Sequence, residues 1–268
     1  MQGLMAHVDT QRIDRAILAT LPDPEPLPGS RSHKPVRHDV VVNEIEAALG
    51  RVGWEVTATE QSLSSNFMKL FGVMHIAPAG GEALARIGET AKRTSDEGRG
   101  FMFGYRHGND QSMALKGVAG TDVFVCDNMM FSGSELLFSR KHTGNLDLKG
   151  MIAQGVAQLP VELIKNEQGV YAMAENKLDD NQAKLAIFNA VAESNVCTAK
   201  YMVPIWETYR DATPQNAPEV ADAKGSMWGV HNAFTRVFNH GHKDMNPMSN
   251  TLKFESTLRL GKYCEVGV

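Results

Sequence analysis

Residues 101–145 read FMFGYRHGNDQSMALKGVAGTDVFVCDNMMFSGSELLFSRKHTGN, and the fold turns on them. Phe101, Phe103 and Tyr105 alternate with Met102, Gly104 and Arg106. A half-buried strand needs that period of two. A polar turn follows, then a short apolar patch from Met113 to Val118, then the run Val123-Phe124-Val125-Cys126. Asp127-Asn128 is a turn-forming pair that ends this run. Two strands are therefore expected, at about 101–106 and 122–126. Beyond them, Arg140-Lys141-His142-Thr143 places three side chains able to carry positive charge in a row.

Upstream, Pro22, Pro24, Pro26, Pro28 and Pro35 mark residues 20–37 as an extended arm or linker. His38-Asp39 opens a helical pattern through Val41, Ile45, Ala48 and Leu49, closed by Gly50 and Gly53. Residues 54–59 alternate as a strand, and 67–76 read as a second one after the turn at Ser64-Ser65-Asn66. The segment 78–100, rich in Gly, Ala and charge, reads as a long connection with a short helix.

Downstream the period changes. Leu148, Ile152, Val156 and Leu159 recur at helical spacing, with Pro160 and Gly169 expected to divide the region. Asp179-Asp180 opens a further helix through Leu185, Phe188 and Val191. Residues 213–218 form a loop, and Met227, Val230, Phe234 and Val237 mark a last helix. The fold class expected is α+β: an antiparallel sheet with an N-terminal helix, followed by a mostly helical C-terminal half. The organisation expected is an arm or linker over 1–37, an α+β core over 38–145 and a helical region over 146–268 packing on that core.

Composition bounds the function classes. With 268 residues, 43% apolar and 22% charged, the chain has the make-up of a globular protein with a sizeable core. No apolar run approaches the roughly 20 residues of a membrane span, and the first residues lack the apolar centre of a secretory signal. Cys126, Cys197 and Cys264 are far apart, which reads as free thiols in a reducing, cytoplasmic setting. The net charge of −4 gives no global case for nucleic acid. Charge is uneven, however: residues 144–223 are acidic and 92–143 slightly basic, which permits a local basic groove.

The chain resembles a family of phage- and plasmid-encoded proteins with no established activity. The resemblance rests on Phe71-Gly72-Val73, Gly104-Tyr105-Arg106, Asp110-Gln111-Ser112, residues 123–128, Phe131-Ser132-Gly133, residues 140–143, Met227-Trp228 and residues 232–235. It covers about residues 33–240 and departs at His107-Gly108-Asn109, where relatives show an Asn-Ser-His run. The order helix, antiparallel strands, helical half is also similar to the core of phage single-strand annealing proteins, a likeness at the level of fold.

Several residue sets invite chemistry. Phe101, Phe103 and Tyr105 present rings for base stacking if exposed, or a core face if buried, which leaves Arg106 as the contact with open backbone at Gly104. Arg140, Lys141 and His142 suit phosphate, with Lys92, Arg93 and Arg99 extending the surface. Asp110, Asp127 and His142 are the central acid–base set for a metal-assisted nuclease. Their plain reading is a cap at Asp110 before a short helix and a turn at Asp127. His240-Gly241-His242-Lys243-Asp244 has a spacing open to metal, in a loop. Cys126, among Val and Phe, reads as an inert buried thiol. No phosphate-binding glycine loop or serine-hydrolase elbow occurs.

The function expected is non-catalytic single-stranded DNA binding or annealing in a phage or plasmid, by a homo-oligomer without cofactor, metal or membrane. The contact residues expected are Arg106, Arg140, Lys141, His142, Lys92, Arg93, Arg99 and Tyr105. The alternatives are a metal-dependent enzyme acting on nucleic acid and a phage protein that binds a host protein.

Overall fold

The computed structural model describes residues 10–79, 87–90, 92, 100–121, 135–140 and 146–239. The chain divides into two compact units, Met1–Lys165 and Asn166–Val268. The class is α+β, with a helical C-terminal half.

The first unit holds β1 (Thr10–Ile13), α1 (Ile17–Thr20), α2 (His38–Arg51), β2 (Trp54–Ser64), β3 (Lys69–Pro78), β4 (Phe101–Gly108), β5 (Leu115–Thr121), β6 (Glu135–Arg140) and α3 (Leu148–Ala157). The six strands pair in sequence order, every neighbour antiparallel. The segment read as an arm thus supplies an edge strand, β1, which pairs with residues 61–64 of β2. Leu115 to Val118 of the apolar patch belong to β5, a strand that its two glycines and lysine hide in the sequence. The strand expected at 122–126 lies outside the described residues.

Helix α2 forms where the apolar spacing predicts it. Val41, Val42, Ile45, Ala48 and Leu49 are buried on one face. Gly53, at φ +80°, stops the helix, and its N–H donates to the Gly50 carbonyl at 3.1 Å. The buried face of α2 joins Leu63 of β2, Leu70, Met74 and Ile76 of β3, and Phe101, Phe103 and Tyr105 of β4 in one core. Ile152, Val156 and Leu159 are part of it too. Each such side chain contributes about 1.5–3 kcal/mol when fully buried. Across from Tyr105 in the register stands Gly72, where a Cβ would run into the tyrosine ring. The missing side chain is what lets the ring lie flat against β3. Tyr105 OH accepts a hydrogen bond from Gln61 Nε2 at 2.5 Å, and burial pushes its phenol pKa up.

Helix α4 (Leu159–Glu175) begins in the first unit and ends in the second, and it runs through Gly169 without a break, so that glycine does not divide the region. Pro160 does sit at a boundary, at the second residue of α4, where its missing N–H costs no helical bond. Asp179 caps α5 (Asp180–Phe188) by accepting from Asn181 N and Gln182 N, while Gln182 Oε1 accepts from Asp179 N. Ala183, Ala186 and Ile187 form the buried face of α5, whereas Leu185 and Phe188 are 44% and 47% exposed. The helix is as expected but turned away from two of the residues that predicted it. Helix α6 (Met202–Arg210) packs on α8 (Met227–Asn239), with α7 (Pro218–Asp222) also against α8. Among the described residues no helix is long and apolar enough to cross a membrane.

Phe103→Ala should lower stability by about 3–5 kcal/mol, whereas Phe188→Ala should stay within about 0.5 kcal/mol. Urea unfolding of both variants checks this. Equal losses would contradict the placement of the two rings.

Candidate functional site

Once Phe101, Phe103 and Tyr105 are buried, the pleat sends Met102, Gly104 and Arg106 to the other face of the sheet. Registers across all six strands then align one transverse row on that face: Arg12, Ser62, Phe71, Arg106, Lys116 and Ser139. Ser62 and Phe71 are buried, and so are Val73, Met102, Gly104 and Val118 on the same face. The backbone at Gly104 is therefore not open to close approach.

Arg106 and Lys116 stand directly opposite each other on β4 and β5, both half-buried. Neighbouring strands lie about 4.8 Å apart, so two like charges face each other at close range. No carboxylate among the described residues pairs with either, and Arg106 Nε is buried with no hydrogen-bond partner. Burial lowers the Arg106 pKa. Burial, then the charge of Arg106, lowers that of Lys116. Like charges across a strand pair destabilise, and a desolvated cation without an acceptor costs more still. Two other basic side chains of the sheet are committed elsewhere: Arg12 pairs with Glu60, and Lys69 with Asp110 at 3.3 Å.

The other expected contacts fall in several places. Arg140 ends β6, exposed, in register with Leu115 and one residue from the partner of Lys116. Lys92 is exposed and helical. Tyr105 is fully buried and held by Gln61, so it cannot stack on a base. Lys141, His142, Arg93 and Arg99 lie outside the described residues, as do Cys126, Asp127 and residues 240–244. Asp110 does not cap a helix. It accepts from Ser112 N at 3.0 Å and Ser112 Oγ at 2.6 Å, an Asx turn in the β4–β5 loop. Burial works to raise its pKa, but the Ser112 hydrogen bonds and the Lys69 charge bring it net below the usual range. Among the described residues no group of three or more His, Cys, Asp or Glu could hold a metal ion.

A second construction occupies the end of the sheet, where β2 turns into β3. Val36 is gripped on both sides by Asn109, which accepts from Val36 N at 3.0 Å and donates to Val36 O at 2.9 Å. Arg37 donates to Asp23 at 2.5 Å, to Asp39 at 3.0 Å, and to the carbonyls of Ala19 and Leu21. The bonds to Asp39 and Asp23 raise the guanidinium pKa, and together the four dock the proline-rich arm. Between the two anchors lies a buried histidine pair, His38 Nδ1 to His107 Nδ1 at 2.6 Å. His38 Nε2 meets the Phe67 carbonyl at 2.9 Å. A carbonyl only accepts, so His38 carries its hydrogen on Nε2 and presents a lone pair at Nδ1. His107 must then donate from Nδ1. Burial lowers the His38 pKa, outweighing the Phe67 bond and the charge of Asp39.

Arm and hairpin enclose a cavity of about 300 Å³, at the small end of ligand pockets. Leu18, Leu21, Pro22, Pro24 and Met68 supply apolar wall, and Asp23, Glu25, Arg37, His38, Asn66, Phe67 and Asn109 the rest. Phe67 has φ +60° and is 46% exposed.

Sequence reasoning missed Lys116, Phe67 and the histidine pair. Lys116 was inside a patch not recognised as a strand, so its register was invisible. Phe67 reads in sequence as the start of a strand, whereas β3 begins at Lys69. His38 and His107 are 69 residues apart and only the pairing of β3 with β4 makes them neighbours.

No protein-family model matches the chain, and neither does any curated protein or solved structure.

The lowered His38 pKa sets a pH dependence. Above the unfolded value of about 6.5 both states are neutral at this site. Below it the unfolded chain binds the proton first, so stability falls as pH drops, by at most about 1.4 kcal/mol per pH unit for one proton. The urea midpoint should therefore fall between about pH 7 and pH 5.5, and less steeply in His38→Gln. A parent protein with a flat midpoint over that range contradicts the buried neutral pair.

Proposed function

We propose that the protein binds single-stranded DNA without catalysis, and that Arg106 and Lys116 contact its phosphates. The observation that carries this reading is the opposed cation pair, half-buried and lacking any acid partner among the described residues. Such a pair lowers the stability of the free fold. A phosphate supplies what it lacks, an acceptor for the guanidinium fork and a counter-charge for the ammonium. Arg140 ends the neighbouring strand exposed and in register with Leu115, so the pleat turns it to the opposite face and the pair stands without it. A phage or plasmid setting, a role in pairing displaced strands and a homo-oligomeric state belong to the same proposal, supported by the resemblance in residues 33–240.

Affinity for oligo-dT should fall steeply with salt, by about 0.7 in log–log slope per phosphate contacted. Replacing Arg106 and Lys116 together by Gln should weaken binding and reduce that slope by about 1.4. Because the substitution removes like-charge repulsion, the thermal midpoint should hold or rise. Unchanged affinity and slope in the double variant would sink the reading, as would no binding by the parent at low salt.

A further inference from the structure

The cavity beneath the arm holds a residue that departs from expectation in three ways. Phe67 sits in the left-handed region at φ +60°, which a side chain with Cβ adopts at a cost. It occupies the hairpin position after the Ser64-to-Phe67 turn, where the Phe67 N–H donates to the Ser64 carbonyl at 2.9 Å and glycine is the usual choice. Its ring is nonetheless 46% exposed, although a phenyl gains most from burial. The surroundings enforce the arrangement. His38, itself buried, donates to the Phe67 carbonyl, and Asn66 Oδ1 accepts from Met68 N at 3.1 Å just beyond. A fold that holds a strained backbone in order to expose an aromatic ring marks a ligand contact.

The polar lining defines the ligand's edge. Arg37 is consumed by Asp23, Asp39 and two carbonyls, and Asn109 by Val36. Both nitrogens of His38 are engaged. Glu25 has no partner among the described residues, and Asp23 has one oxygen bonded to Arg37. What remains beside the aromatic face is the acceptor capacity and negative charge of Glu25 and Asp23, with the amide donor of Asn66. A phosphate is repelled there; a planar ring with a donating amine fits.

We propose that this cavity is a base subsite. One unstacked nucleobase with an exocyclic amine, adenine or cytosine, lies against the Phe67 ring with its amine donating to Glu25. The inference rests on the single-strand reading and extends it. Phosphates belong to the cation pair, and a base belongs to the arm cavity.

The test uses the full chain and separates the two claims. Saturation-transfer NMR with deoxyadenosine, which has no phosphate, should show transfer to the base protons in the parent and a weaker signal with thymidine. Glu25→Ala should reduce the deoxyadenosine signal, and Phe67→Gly should abolish it. Glycine is at ease at this φ, so Phe67→Gly should keep or raise the thermal midpoint. If the midpoint drops, Phe67→Leu, which keeps bulk and loses the π face, carries the comparison. For oligo-dA, loss of the ring should weaken binding by roughly 5- to 150-fold, the equivalent of one stacked base. No transfer in the parent, or transfer in both Phe67 variants equal to that in the parent, overturns the subsite. Oligonucleotide binding without nucleoside transfer leaves the phosphate reading standing and removes this one. Nucleoside transfer without oligonucleotide binding does the reverse.

Discussion

Strand β4 can bury only one set of alternate side chains against α2, and the rest of the first unit follows from which set that is. Phe101, Phe103 and Tyr105 go inward. The pleat then leaves no choice about Arg106, which must face the other side. Antiparallel register with β5 does the rest and brings Lys116 opposite it. Moving Arg106 away from Lys116 by a one-residue slip would turn the aromatic row out of the core. The hydrophobic gain of three large side chains outweighs a repulsion of about 1 kcal/mol or less. The like-charged pair is thus tolerated by the fold, without an acid partner among the described residues.

The same packing builds the end of the sheet. His107 follows Tyr105 on the inward face of β4 and meets His38 at the start of α2. Flanking residues, Arg37 just before His38 and Asn109 just beyond His107, hold the arm. An extended, proline-rich segment loses little backbone freedom on docking. Its few hydrogen bonds are therefore enough to fix it, and the cavity it roofs owes its shape to them.

Much of this was legible from the chain alone, where one physical signal dominated. Helix α2 and helix α8 follow their 3.6-residue spacing, and the alternation at 101–106 marks β4 and its buried rings. Asp179 announces a helix start and caps one. What failed had competing signals. Strand β5, LKGVAGT, has too few large apolar residues for alternation to show. Leu185 and Phe188 are apolar but lie on the exposed side of α5, because small alanines fill its packed face. Gly169 looked like a breaker, yet a helix interior tolerates one glycine at about 1 kcal/mol. The candidate site was half visible. Arg106 stands out in sequence, while Lys116 and the histidine pair depend on long-range register that no local pattern encodes.

The most direct measurement of the central claim is the pKa of the Lys116 ammonium, followed by NMR of a protein labelled at lysine side chains. In the free protein it should titrate below the ordinary lysine value, because burial and the Arg106 charge disfavour the ammonium. Saturation with oligo-dT should move it upward as phosphate supplies the missing counter-charge, and Arg106→Gln should raise it even without DNA. An ordinary lysine value in the free protein, or a value that DNA leaves unchanged, would contradict the account.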